Sequence, residues 1–359
     1  MYKNRWLTIL LAIMMVLTLV GCGGGNGNDQ VSGNGGEDNP EPADEIIHWD
    51  VSIYGASRAW TKPVEEWADT MHERTDGRWV IELHYGEVLA PAAENLEGAS
   101  SRLFEVGAVC PFYSPGTLPL NQVMDLPFLP PMSNEDIVTF QKAIWDHPDV
   151  IAEFENHNVV PLIPTGLPQL EAMSKSPIRT AEDWDGIRMA GMSAELGYVL
   201  EEFGGVPNPM PAPDVYMSLD RGVLDTVIMH NTYAFGSYSF HEVTDYYVTD
   251  LALGTVAAFY VANKDAWEEL PQEFRDIHME FYDDMEAIGA KYYAEADEEF
   301  EPLFKENMEH IAFPAEEREK LEAEAEKIWQ EWAERWEDRG DSHGLLEQMI
   351  ELSDQLDSQ

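Results

Sequence analysis

The segment "WDGIRMAG", Trp184 to Gly191, sets an arginine inside an apolar run of a chain that carries 68 acidic residues against 21 basic ones. Arg188 stands between Ile187 and Met189. A guanidinium taken out of water is costly unless an anion meets it, and its planar fork matches a carboxylate through two parallel hydrogen bonds. The anion is either an acid of the chain, such as Asp183 or Asp185, or the carboxylate of a ligand. The second reading places Arg188 at a strand end facing a cleft.

Other polar and aromatic groups follow predicted strands and are candidate contacts. Ser57, Arg58 and Trp60 come after the first strand, and Cys110, Phe112 and Tyr113 after the third. His230 and Asn231 come after "DTVIM". Arg58 is either a second carboxylate partner or a solvated loop arginine, Phe112 a cleft wall or core, His230 a ligand contact or a structural histidine. No G-x-S-x-G, H-E-x-x-H, Walker or G-x-G-x-x-G element occurs past the N-terminal region, and the histidines lack metal-ligand spacing. The expectation is therefore a binding protein with no catalytic residue, metal or cofactor. Adjacent acids such as Glu201 and Glu202 read as solvated helix surface.

The elements that must position these groups are legible from periodicity. "HWDVSIYGA" alternates, with Trp49, Val51 and Ile53 on one face, and reads as a strand. Val64, Trp67, Ala68 and Met71 follow helical spacing up to Gly77, and "RWVIELHY" is a second strand. "PAAENLEGASSRLFEVG" reads as a helix from Pro91 to Gly107, and "AVCPFY" as a third strand. This alternation predicts a parallel sheet with crossover helices. It resumes with strands in "NVVPLIPTG", "GIRMAG", "DTVIM" and "TVAAFYVAN", with helices between, and from about residue 264 the pattern is nearly all helical. Two α/β units with a helical C-terminal brace is the economical architecture.

The N-terminus stands apart. Lys3 and Arg5 precede an apolar run of about sixteen residues ending at Cys22, shorter than the roughly twenty a membrane span needs, so residues 1–22 read as a secretory signal. "LVGC" resembles a bacterial lipobox, which would leave Cys22 as a lipid-bearing N-terminus. Residues 23–45, rich in Gly, Asn and acids, read as a flexible tether. With only Cys22 and Cys110 in the chain, no disulfide is expected. The expected location is extracytoplasmic, held at a bacterial membrane by lipid alone. A net charge of −47 excludes nucleic acid as a partner and, because the acids spread along the whole chain, points to a saline habitat.

From "SKSPIRTAEDWDGIRMAG" through "FGGVPNPMPAPDVYMSLDRGVLD" to "HEVTDYYV", the sequence resembles the extracytoplasmic solute receptors of TRAP transporters, the DctP-type family. "GEVLAP", "YSPGTLPLNQVMDLPFL" and "YVANKDAWEELPQEFRD" extend the resemblance over nearly all of residues 47–330. It implies a two-lobed α/β fold of the type II periplasmic-binding-protein kind, with hinge strands and a long connecting helix. Lobe I would take residues 46–165 and about 254–293, and lobe II residues 166–253 and about 294–357 with the C-terminal helices. The resemblance further implies that Arg188, on the "G-[IL]-[KR]-[IVM]-R"-like strand, binds a substrate carboxylate, and that the partners are membrane subunits driven by an ion gradient. Leu170 and Glu171 stand where sialic-acid-binding branches carry a second arginine, which argues against that ligand and leaves Glu171 as a candidate ligand contact. An ABC-type receptor and an exported hydrolase are the rival readings.

Overall fold

The alternation at Trp49, Val51 and Ile53 is realised in a computed structural model of the chain, which describes residues 46–191 and 193–358. All three side chains are buried, while Asp50 between them is exposed. Trp49 and Val51 lie on β1 (Ile47–Ser52) and Ile53 directly after it; β1 pairs in parallel with β2 (Trp79–His84) and β3 (Val106–Val109). The helix Lys62–Arg74 joins β1 to β2, with Pro63 in its first turn and Val64, Trp67, Ala68 and Met71 turned inward. Trp67, Trp49 and Trp79 meet there edge to face or tilted, with centroids 4.9 to 6.5 Å apart. The helix expected to run from Pro91 to Gly107 is confined to Asn95–Ser100 after one short turn, because Phe104 folds back over Gly98 where a β-carbon would sit 2.2 Å from its ring.

The sheets are mixed, where an all-parallel arrangement was expected. β4 (Val159–Pro164), β5 (Leu170–Ser174), β6 (Arg188–Ala190), β7 (Val206–Pro207), β8 (Thr226–His230), β9 (Tyr246–Thr249), β10 (Phe259–Asn263) and β11 (Glu309–Ala312) complete the set among the described residues. One sheet has the order β2-β1-β3-β10-β4 and the other β11-β9-β5-β8-β6-β7. β10 runs antiparallel to β3 and β4, and β5 antiparallel to β8 and β9. These reversals arise because the chain passes between the sheets twice, from β4 to β5 and from β9 to β10. β5, β7, β9 and β11 are four strands that the apolar pattern did not reveal.

The two passages bond to each other. Leu170 N donates to Gly254 O at 2.7 Å and Leu253 N to Leu170 O at 3.1 Å, while Thr165 Oγ1 donates to Ala258 O and Thr255 Oγ1 to Leu167 O. The long helix Met285–Asn307 is a third connection: Tyr293 on it donates its hydroxyl to Thr165 O at 2.9 Å, and Gly289 lies against Val138. Hinge strands and a long connecting helix are therefore as expected. The last helix, Ser342–Asp357, expected with the second lobe, packs instead on Asn134–Trp145 of the first, where Leu345, Leu346 and Met349 join Phe140 and Ile144 in one apolar cluster. No helix of the described residues is long and apolar enough to cross a membrane. The signal, the tether and Cys22 lie outside the described residues.

Candidate functional site

Ligands of α/β folds bind beyond the carboxyl ends of their strands. Here the ends of β1, β3 and β8 converge on one chamber between the two sheets. After β1 come Tyr54, Arg58 and Trp60; after β3, Cys110, Phe112 and Tyr113; at the end of β8, Met229 and His230, followed by Tyr233 and Tyr238. In this structure it leaves about 20 Å³ for the centre of a water molecule, which is room for roughly one water. A wider cleft of about 500 Å³ opens on the far side of Phe112, beside Met189, Gly191 and Tyr198.

Among the described residues, Arg58 is the one charged group lining the chamber. Its guanidinium lies over the rings of Trp60 and Tyr54, 4.7 and 5.2 Å from their centroids. Among the described residues its acceptors are two main-chain oxygens, Ala56 O at 2.7 Å and Tyr54 O at 3.1 Å, both taken by Nη1. Burial disfavours its charge, and the titratable groups acting on it most strongly are tyrosines, Tyr238, Tyr54, Tyr233 and Tyr260. The group stays protonated because arginine does not lose its proton in proteins. Gly55 makes its position possible. It has a positive φ of 71°, and a β-carbon there would stand 2.7 Å from Nη1.

Cys110 accompanies this cation without being a nucleophile. Tyr54 Oη and Cys110 Sγ are 2.8 Å apart. Burial pushes the thiol up to about 12, against the lowering influence of Tyr54 and Arg58, so it carries its proton at neutral pH and lacks the thiolate that cysteine chemistry needs. His230 is equally buried, its Nδ1 2.7 Å from Pro168 O. Burial lowers its pKa to about 4, with the Pro168 bond opposing.

Six residues expected at the site thus come together: Arg58, Trp60, Cys110, Phe112, Tyr113 and His230. Four do not. Ser57 is exposed and donates to Glu65 Oε1 at 2.6 Å. Asn231 has turned away, its Oδ1 accepting from Tyr247 at 2.6 Å. Glu171 is buried in the hinge, where its carboxyl accepts from Leu251 N and Ala252 N. Arg188 is the fourth. It is the first residue of β6, at the end remote from the cleft, and its guanidinium holds Asp225, the residue just before the neighbouring parallel strand β8. Asp225, and neither Asp183 nor Asp185, is the acid that meets it. Counted from Gly186, the motif's final arginine falls on Ala190, a buried residue with no charge to offer. Tyr54, Tyr233 and Tyr238 went unnoticed. The run "NTYAFGSY" directly after β8 was the signal for the last two.

Two sheets, two bonded passages between them and a chamber at their strand ends define a two-lobed solute-binding protein. A sequence profile for bacterial extracellular solute-binding protein, family 7 (DctP), matches residues 51–335, and the chain belongs to that family. It is 28% identical over 251 residues to a solute-binding protein of Chromohalobacter salexigens, covering 67% of this chain and 71% of that one. Its fold is similar to that of DctP7, an extracytoplasmic solute receptor from Bordetella pertussis that binds pyroglutamic acid, with a TM-score of 0.74 and 19% identity over 85% of this chain and all of that one. A marine-metagenome TRAP solute-binding protein specific for aromatic acids, solved with 3-hydroxybenzoate, superposes with a TM-score of 0.75 at 17% identity, covering 87% and 99% of the two chains.

Proposed function

We propose that this protein is the extracytoplasmic receptor of a TRAP transporter, and that it holds a small organic carboxylate between its lobes with Arg58 as the carboxylate's partner. The observation that carries the reading is the guanidinium of Arg58, enclosed by aromatic rings, with only main-chain oxygens to bond and no acid beside it. A chain with 68 acids that leaves its one chamber arginine without a carboxylate has reserved that charge for something else. A desolvated cation favours an anion strongly, and a guanidinium favours a planar one. The relatives that bind pyroglutamic acid and aromatic acids agree with that ligand class.

Walls from both lobes surround the chamber, so ligand entry requires them to part and ligand contact to both favours the closed form. The closed receptor would then deliver its solute to the membrane subunits, with Cys22 as its lipid anchor. Replacing Cys22 by Ser should release the protein from the detergent-soluble membrane fraction or stall its processing. The hydrolase alternative has no support in the chamber, where burial keeps the proton on the cysteine and lowers the histidine's pKa to about 4, making it a weak base. The direct experiment is to denature protein purified from its native host and identify what it releases by mass spectrometry. An organic acid recovered unchanged, in up to one equivalent, is the expected result; a processed product or a cationic solute would count against the reading.

A further inference from the structure

Besides Arg58, the residues lining the chamber carry two buried polar atoms without a partner among the described residues: the Trp60 Nε1 donor and an acceptor on His230. His230 is 1% exposed at the end of β8. Its Nδ1 faces Pro168 O, and because a carbonyl oxygen can only accept, Nδ1 carries the ring's hydrogen. The ring is neutral at physiological pH, burial having lowered its pKa, so Nε2 has a lone pair and no proton. That atom is buried without a hydrogen-bond partner among the described residues, in a ring that lines the chamber with Arg58. A buried acceptor left without a donor is costly to the fold, as is a donor that meets no acceptor.

The remaining walls narrow what can answer it. Tyr54, Trp60, Phe112, Tyr113, Tyr233 and Tyr238 bring uncharged rings, phenol hydroxyls and the Trp60 N–H, and among the described residues no Asp or Glu lines the chamber. A ligand ammonium would find no counter-charge there and would share the space with Arg58. A second carboxylate would find no second cation. An oxo or ether oxygen against Nε2 would set lone pair against lone pair.

Resting on the reading of this chamber as the carboxylate site, we propose that the receptor selects a flat monocarboxylate carrying one uncharged N–H or O–H donor, the carboxylate meeting Arg58 and the donor meeting His230 Nε2. Hydroxy acids, hydroxyaromatic acids and lactam acids belong to this class; keto acids, amino acids and dicarboxylates do not. Arg58 belongs to the first lobe and His230 to the second, so such a ligand bridges the lobes, and loss of either group weakens its hold on the closed form.

The test uses pairs of acids in which one member lacks the donor: 3-hydroxybenzoate against the bulkier 3-methoxybenzoate, pyroglutamate against the bulkier N-methylpyroglutamate, and lactate against pyruvate, which is no bulkier, each titrated calorimetrically into the parent protein. In whichever pairs bind, the donor-bearing acid should be tighter by about tenfold or more, the scale of one buried hydrogen bond left unmade. His230→Phe should bring the ratio close to one, weakening the donor-bearing acid more than its donorless partner, and His230→Gln, which restores an acceptor, should recover part of the preference. Equal binding of both members in the parent overturns the donor requirement and leaves the carboxylate site standing. Binding that survives Arg58→Gln, or failure of all six acids to bind, overturns the carboxylate site and this inference with it. The parent ratios need no variant, so a His230 substitution that misfolds does not blunt the test.

Discussion

Arg188 and Asp225 close a two-pronged pair across neighbouring strands: Nε lies 2.8 Å from Oδ2 and Nη2 2.7 Å from Oδ1, while the Arg188 amide also donates to Oδ2 at 3.0 Å. The pair pins the start of β6 to the start of β8, and it holds the Asp225 carboxyl below its ordinary range. Both side chains face solvent in part, at 43% and 26% exposure, so water screens the attraction. Arg188→Ala should lower the melting temperature slightly and leave ligand affinity unchanged. A large loss of affinity in a variant that melts like the parent would return Arg188 to the binding site.

Gly55 should matter more than its size suggests. Its φ of 71° and the 2.7 Å approach of Arg58 Nη1 to a β-carbon position leave no room for a side chain. Gly55→Ala is expected to lower stability by about 1 kcal/mol through the backbone alone, and to displace the guanidinium so that affinity falls with it. Calorimetry on the folded variant checks this; unaltered affinity would mean that Arg58 can adjust without loss.

Glu171 gives the hinge a pH dependence. Burial pushes its carboxyl up to about 8, against the amide bonds from Leu251 and Ala252. In the unfolded chain it titrates near 4.3. A carboxyl whose folded pKa is raised contributes stability that is complete below the unfolded value and is lost as pH rises through the folded one. The contribution should therefore disappear between about pH 4 and pH 8. Glu171→Gln cannot ionise, so its melting temperature relative to the parent should climb across that interval. A constant difference from pH 5 to pH 8 would show that Glu171 titrates normally.

Salt should stabilise the protein. A charge of −47 on one chain repels itself over roughly 8 to 10 Å at moderate ionic strength and much less at molar salt. The melting temperature is expected to rise steadily from low to molar NaCl. A flat or falling curve would remove the argument for a saline habitat.

What the sequence made legible follows the range of the interactions involved. The alternation of Trp49, Val51 and Ile53 and the helical spacing of Val64, Trp67 and Met71 are local, and both elements form as read. Six chamber residues were found because each lies at the end of a strand or shortly after one. Arg188 was misplaced for the complementary reason. Its partner is 37 residues away, and only the pairing of β6 with β8 brings Asp225 to it. The same limit hid β11, whose four residues hold one buried side chain and which exists because β9 lies beside it. The state of His230 was hidden too, since its tautomer is fixed by a carbonyl 62 residues earlier in the chain.

The central claim is that Arg58 is the ligand's carboxylate partner, and calorimetry on Arg58→Ala and Arg58→Lys with a carboxylic acid that binds the parent tests it most directly. Removing a desolvated partner leaves the ligand's charge buried and unpaired, so Arg58→Ala should lose at least about thirtyfold in affinity. Arg58→Lys should also bind weakly, since an ammonium keeps the charge but not the fork. Both variants should melt close to the parent when no ligand is present, because no acid of the fold depends on this guanidinium. Parental affinity in Arg58→Ala would contradict the account.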